Sequence, residues 1–171
     1  MFKNLFLKLR TYFAKKKQVT VRRSVSFKDA QSIGVVIQNE DLNNSKIINN
    51  FVGEIKNLGK KVDVLFVEKS KGSVKANFDF KSLNNKDITW NGLIKSERVQ
   101  RFMEKDFDFL YSLNLNSNIP TQNIFANSKA KYRVGNHEVD NEGLFELMID
   151  TQKKPKLEIL ADQMLFYSKN I

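Results

Sequence analysis

The sequence predicts a three-layer α/β sandwich around a mostly parallel sheet, preceded by a basic amphipathic helix. Short apolar runs alternate with segments of helical periodicity along most of the chain. The first two runs, residues 33–37 and 62–67, enclose a helical segment, which is the pattern of a parallel β-α-β unit. The chain has 171 residues, of which 41% are hydrophobic, so it is long enough for one domain with a substantial core.

The N-terminal helix is predicted over residues 2–17. Its apolar residues recur at helical spacing and form a single stripe, which consists of Phe2, Leu5, Phe6, Leu9 and Phe13. Three cations spaced seven residues apart lie on another face: Lys3, Arg10 and Lys17. We therefore divide the chain into a basic arm, residues 1–23, and a single α/β domain, residues 24–171, with a polar linker over 18–31.

The helix of the first β-α-β unit is bounded by recognisable capping residues. Asn44 or Ser45 is suited to cap its N-terminus, and Gly59 stands where a left-handed residue usually ends a helix. The polar residues 68–86, which follow the second strand, are predicted to form a loop.

The second half of the chain is predicted to add four strands and three helices. Pro120 favours the start of a helix, because the first turn does not need its missing N–H. The remaining elements are strands over 88–90, 107–113, 132–134 and 144–149, and helices over 95–105 and 156–168.

Positive charge is concentrated in the arm. The net charge is +10, and subtracting the eight cations of residues 1–23 leaves +2 for the other residues. No acidic residue interrupts the arm, whose cations are Lys3, Lys8, Arg10, Lys15, Lys16, Lys17, Arg22 and Arg23. Such a segment is typical of a contact with a polyanion.

Three interpretations of the arm remain open at this point. Its cations could neutralise RNA phosphates while the apolar stripe packs on the domain or on a neighbouring protein. The stripe could instead enter the surface of an anionic membrane. The helix could also simply dock on its own domain. We expect a cytoplasmic protein, because cations interrupt every apolar run of the arm and no run of about 20 apolar residues exists.

A second basic cluster is predicted near residue 131. Lys129, Lys131 and Arg133 alternate, so in an extended chain they point the same way. They are candidate RNA contacts, or equally the solvated edge of a short strand.

The sequence contains no complete catalytic pattern. Its seven glycines do not form a phosphate-binding loop, and there is no cysteine. Asp106 and Asp108, together with His137, are the residues that could serve acid–base chemistry, but a turn and a polar loop explain them better. We predict no catalytic residues, no metal site and no cofactor.

The whole chain resembles an uncharacterised bacterial protein family. The matching segments are Met1–Arg23, Gly59–Val62, Lys86–Trp90, Phe107–Leu110, Ser128–Gly135, Phe145–Ile149 and Gln163-Met164. This resemblance implies no particular activity.

Residues 106–135 also resemble the N-terminal half of the heptosyltransferase-type glycosyltransferases. The matching pieces are an aspartate-bearing strand, Phe107–Leu113, and a turn of the alanine/lysine-arginine-x-glycine type, Ala130–Gly135. The resemblance implies a Rossmann-like sheet. It does not imply the reaction, because those enzymes bind the nucleotide-sugar in a second domain for which this chain has no residues.

Together these observations predict a non-enzymatic module that binds RNA or a ribonucleoprotein, with ribosomal RNA as the expected partner. One alternative is a peripheral protein of the inner membrane surface, anchored by the stripe. A second alternative is a degenerate glycosyltransferase-like half-domain with residual activity. The sequence does not indicate an oligomeric state.

Overall fold

The computed structural model describes residues 2–17, 25–39, 44–68, 81–151 and 153–171. These residues contain five α-helices and six strands. In chain order they are α1 (Phe2–Lys17), β1 (Ser32–Asn39), α2 (Ser45–Asn57), β2 (Lys61–Glu68), β3 (Lys81–Leu83), α3 (Glu97–Glu104), β4 (Phe109–Ser112), α4 (Ile119–Asn127), β5 (Tyr132–Asn136), β6 (Leu147–Ile149) and α5 (Leu157–Ser168).

The strands form one parallel sheet in the order β3-β2-β1-β4-β5-β6. This order reverses its direction between β1 and β4, as in doubly wound, Rossmann-like folds. Helices α2 and α5 cover one face of the sheet, and α1, α3 and α4 cover the other. The predicted three-layer sandwich with an N-terminal helix is therefore confirmed.

The two central strands, β1 and β4, are buried because helices cover both faces of the sheet. All four residues of β4 are buried. Phe109 and Tyr111 join the core under α2 and α5, whereas Leu110 joins the core under α1, α3 and α4. A continuous apolar run, rather than an alternating one, is typical of strands in such parallel sheets.

The predicted helix boundaries agree with the capping geometry. Asn44 occupies the N-cap position of α2, although its side chain makes no capping hydrogen bond, and Gly59 follows that helix with a φ of 77°. The Asn118 side chain accepts a hydrogen bond from the Thr121 backbone N–H at 2.9 Å, which caps α4, and Pro120 lies in the first turn.

Three sequence predictions need correction. The predicted loop over 68–86 contains β3, while residues 69–80 lie outside the described residues. Residues 88–90 do not form a strand, because Ile88 makes only an isolated bridge to Ile94 and Trp90 lies in a turn. The last strand is shorter than residues 144–149, since β6 spans Leu147–Ile149. Strand β3 was missed because only one of its three residues is apolar, and its hydrogen bonding depends on β2.

Candidate functional site

Helix α1 docks on the domain through a narrow face. Leu7 is fully buried in the core beside α3 and α4, and Thr11 is also buried. Gly92 permits this close approach: it has a φ of 75°, and a Cβ atom there would lie 2.5 Å from the backbone N of Leu7. The helix is therefore part of the folded domain surface.

Polar contacts fix the rotation of α1 about its axis. Thr11 Oγ1 accepts a hydrogen bond from Asn123 Nδ2 on α4 at 3.0 Å. Arg10 Nε donates to the backbone oxygen of Asn91 at 2.9 Å, and Lys3 Nζ donates to that of Asn85. These contacts, at Lys3, Arg10 and Thr11, hold the face of α1 that carries Leu7 against the domain.

The apolar stripe of α1 consequently faces away from the domain. All five of its residues are exposed, with exposed fractions between 37% and 75%, and they are Phe2, Leu5, Phe6, Leu9 and Phe13. Successive helical residues are about 100° apart, which places the stripe opposite Leu7 and Thr11. The interpretation in which the stripe packs on the domain is therefore wrong.

Cations border the stripe. At helical spacing, one flank carries Lys3, Arg10 and Lys17, and the other carries Lys8 and Lys15. Lys16 lies at the stripe itself, with its Nζ 4.6 Å from the centre of the Tyr12 ring. None of these six cations pairs with a carboxylate among the described residues. Arg22 and Arg23, the other predicted arm cations, lie outside those residues.

An exposed turn extends this surface beyond α1. Trp90 is 75% exposed, and its ring meets the Phe6 ring edge-to-face at 6.1 Å. Thr89 closes the turn, because its backbone N–H donates to Leu93 O at 2.8 Å and its Oγ1 accepts from the Leu93 N–H. The sequence prediction missed this turn although Asn91-Gly92 is a turn dipeptide that signals it.

The second predicted cluster is not assembled as one exposed face. Arg133 is 3% exposed; its guanidinium makes a two-point ion pair with Glu146, at 2.7 and 3.0 Å, and donates to Phe125 O at 3.1 Å. Lys131 Nζ donates to Asp108 at 2.8 Å, whereas Lys129 is exposed. Arg133 holds β5 to the chain before β6, which is a structural contact.

Asp108 joins three segments at the amino end of the sheet. Its carboxylate accepts the backbone N–H groups of Gln31 and Ser32, at 2.8 and 3.0 Å, as well as the Lys131 ammonium. Burial acts to raise the pKa of Asp108, but these hydrogen bonds outweigh it and leave the pKa below its usual value. The hydrogen bond to Asp108 also raises the pKa of Lys131. Ligands of open α/β sheets bind at the carboxyl ends of the strands. Asp108 lies at the amino end and is therefore far from the usual ligand site of this fold.

Asp106 and His137 are no better placed for acid–base work. Asp106 lies 3.9 Å from Lys131 Nζ and is well exposed. The His137 backbone N–H donates to Ile149 O at 2.8 Å, and its buried Nδ1 has no hydrogen-bond partner within the described part of the chain. Among the described contacts, neither Asp106 nor the His137 ring is hydrogen-bonded to a carboxylate that could orient it for acid–base catalysis.

A cleft of about 760 Å³ opens at the carboxyl end of the sheet, beside α1. Charges of both signs line it, namely Lys8, Lys15, Glu68, Asp140 and Glu142. The described lining residues include no glycine, so they supply no phosphate-binding turn. Across the described part of the chain, no three His, Cys, Asp or Glu side chains lie close enough together to hold a metal ion. None of the helices described is both long and apolar enough to cross a membrane.

The fold and this surface define a Rossmann-like α/β domain. One of the helices that cover its sheet, α1, is basic and exposes an apolar stripe. Residues 3–171 match the model of a family of unknown function, DUF6913, and the chain belongs to that family. No curated protein and no solved structure matches the chain. The resemblance of residues 106–135 to glycosyltransferases is accordingly not confirmed.

Proposed function

We propose that this protein is a non-enzymatic module that binds RNA within a ribonucleoprotein particle through the outward face of α1. The observation that carries the proposal is the arrangement of that face: an exposed apolar stripe bordered by five cations and interrupted by a sixth, Lys16, with no acid on the helix. Ribosomal RNA is the polyanion we expect.

The two parts of the face have different chemical roles. Lysine and arginine side chains release counterions when they neutralise phosphates, which supplies affinity without sequence preference. The stripe needs an apolar surface or aromatic bases to cover it, because an exposed apolar patch rimmed by polar groups usually marks an interaction site. A particle of RNA and protein offers both.

The described residues outside α1 support a binding role more than a catalytic one. Arg133 and Asp108 are committed to ion pairs within the fold, and the cleft beside α1 combines both signs of charge. On α1, by contrast, six cations lie without a carboxylate partner among the described residues.

RNA binding by the full chain at several salt concentrations tests the proposal. We expect the affinity for RNA to fall with added salt, and Lys8→Gln/Lys16→Gln/Lys17→Gln to reduce the slope of log K against log salt by about two. The matched control is a triple change to Gln at exposed lysines near the start of α5: Lys153, Lys154 and Lys156. Affinity that is independent of salt, or equal slopes for the two triple variants, would contradict the proposal.

The second candidate is attachment to an anionic membrane surface, which the outward direction of the stripe favours. Apolar residues bordered by lysines on an in-plane helix can enter the interface of a bilayer. Under this alternative, Phe6→Asp/Leu9→Asp releases the protein from anionic vesicles in a flotation assay. If the double variant still floats with the vesicles, the membrane alternative fails.

A further inference from the structure

The turn at residues 89–93 adds an aromatic ring to the face of α1. Trp90 lies on the domain, not on the arm, yet its ring contacts Phe6 of the stripe. Both rings are exposed, Trp90 much more than Phe6. The two rings form one composite surface, which we call the Trp90–Phe6 platform.

The platform is held in place from both sides. Gly92 packs against the backbone of Leu7, so the turn and the helix cannot separate without breaking the docking contact. Arg10 Nε donates to Asn91 O within the turn. A ring carried on a backbone that is fixed before binding loses less conformational entropy when a ligand stacks on it than a ring on a free loop.

Cations lie beside the rings without acidic partners. Among the described contacts Arg10 uses only its Nε, which leaves two Nη groups to donate to a phosphate. Lys3 donates to Asn85 O and lies on the same flank of α1 as Arg10. Aromatic rings interleaved with cations in this manner are suited to a nucleic-acid strand whose bases are free to stack.

We propose that the Trp90–Phe6 platform stacks unpaired bases of RNA, while Arg10 and Lys3 contact the adjoining phosphates. This inference rests on the proposed function and narrows it to single-stranded segments such as loops or bulges. A continuous duplex does not suit the platform, because its bases are already stacked on one another. The stacking is tolerant of sequence, since every base has a π-face.

Trp90 provides its own reporter, because it is the single tryptophan of the chain. The full-length protein is titrated with oligouridine and, separately, with an RNA duplex carrying the same number of phosphates, while tryptophan emission is recorded. Affinity is measured in parallel by anisotropy of labelled RNA. We expect quenching by oligouridine and little change with the duplex.

Substitutions separate the platform from the general charge. Trp90→Ala and Phe6→Ala are each expected to weaken oligouridine binding about tenfold and to leave duplex binding nearly unchanged. The matched control is Phe166→Ala, which removes a 64%-exposed ring on α5, at the other face of the sheet. The variants are compared only after circular dichroism confirms that each is folded.

The possible outcomes distinguish base stacking on the platform from RNA binding by α1 in general. Both RNAs could bind with the expected salt dependence while oligouridine leaves Trp90 emission unchanged and Trp90→Ala binds oligouridine as tightly as wild type. In that case stacking on the platform is refuted and the RNA proposal stands. If neither RNA binds and anionic vesicles shift Trp90 emission to shorter wavelength, both are refuted and the face is a membrane surface.

Discussion

Arg133 shows that the spacing of cations along a strand does not locate them at the surface. Its alternation with Lys129 and Lys131 indicated a cationic edge, but Phe125 O and Glu146 enclose its guanidinium. Alternation in a strand identifies which side chains share a direction, but not whether that direction is solvent or another element. The acceptors of Arg133 come from separate parts of the chain, so local sequence could not reveal them.

Removing the Arg133 side chain is expected to destabilise the fold strongly. Arg133→Ala leaves Glu146 without this partner and Phe125 O without one of its donors, and breaking a buried pair in this way costs about 3 kcal/mol or more. The measurement is urea denaturation, with Arg101→Ala as the control. Arg101 pairs with Glu97 on the exposed face of α3, where such a pair contributes less than about 1 kcal/mol. Equal losses for the two variants would contradict this account.

Asp108 is expected to make the stability of the protein depend on pH. Its folded pKa lies below its unfolded value of about 3.9, so its ionised form stabilises the fold above that pH, and this contribution is lost as the pH falls through the folded pKa. We therefore expect the difference in unfolding free energy between wild type and Asp108→Asn to shrink as the pH drops below about 4. A difference that stays constant from neutral to acid pH would show that ionised Asp108 does not contribute.

At the scale of the elements, the sequence predicted helix α1 correctly but left open which face docks. The apolar stripe is wider than the buried strip at Leu7 and Thr11, and periodicity alone favours the wider face as the inner one. The docking face is instead determined by Gly92 and Asn123, which are far away in the sequence. Docking by the narrow face leaves the wide one available for a partner.

Most of the sheet was predictable because its strands are apolar runs separated by helices. Strands β1, β2, β4 and β5 and their parallel pairing follow from that alternation. The order of the strands and the edge strand β3 do not, since both depend on backbone pairing with distant segments. The exposed surface at Trp90 was likewise missed, because residues 88–90 have the composition of a strand.

Gly92 allows the docking of α1 to be tested directly. Gly92→Ala introduces a Cβ atom against the backbone of Leu7 at a positive φ, so we expect a loss of about 1–3 kcal/mol in the free energy of unfolding and faster hydrogen exchange in α1. Gly53→Ala in α2 is the matched control: apart from its chain neighbours and the backbone of its own helix, no atom lies within 4 Å of the new Cβ, and we expect a gain of about 0.5–1 kcal/mol. If Gly92→Ala leaves both stability and exchange in α1 unchanged, the close contact is not needed for docking.

At the scale of the whole molecule, the cations of α1 and its exposed apolar stripe lie on the face of the sheet that α1 covers together with α3 and α4. The domain has two apolar cores, one on each face of the sheet, and α1 lies over the core that it shares with α3 and α4. Eight of the excess positive charges belong to residues 1–23, and six of those cations border or interrupt the exposed stripe. An asymmetric cationic surface of this kind attracts polyanions and orients the molecule as it approaches them.

Sedimentation of a native lysate through a sucrose gradient, with RNase and detergent treatments in parallel, tests the central claim most directly. The account predicts that the protein sediments with ribonucleoprotein particles, moves to the light fractions after RNase, and is unaffected by detergent. Lys8→Gln/Lys16→Gln/Lys17→Gln should leave the particle fractions at lower salt than wild type does. The claim is contradicted if the protein is found in the membrane fractions, is released by detergent and does not shift after RNase. That result would identify the stripe as a lipid anchor.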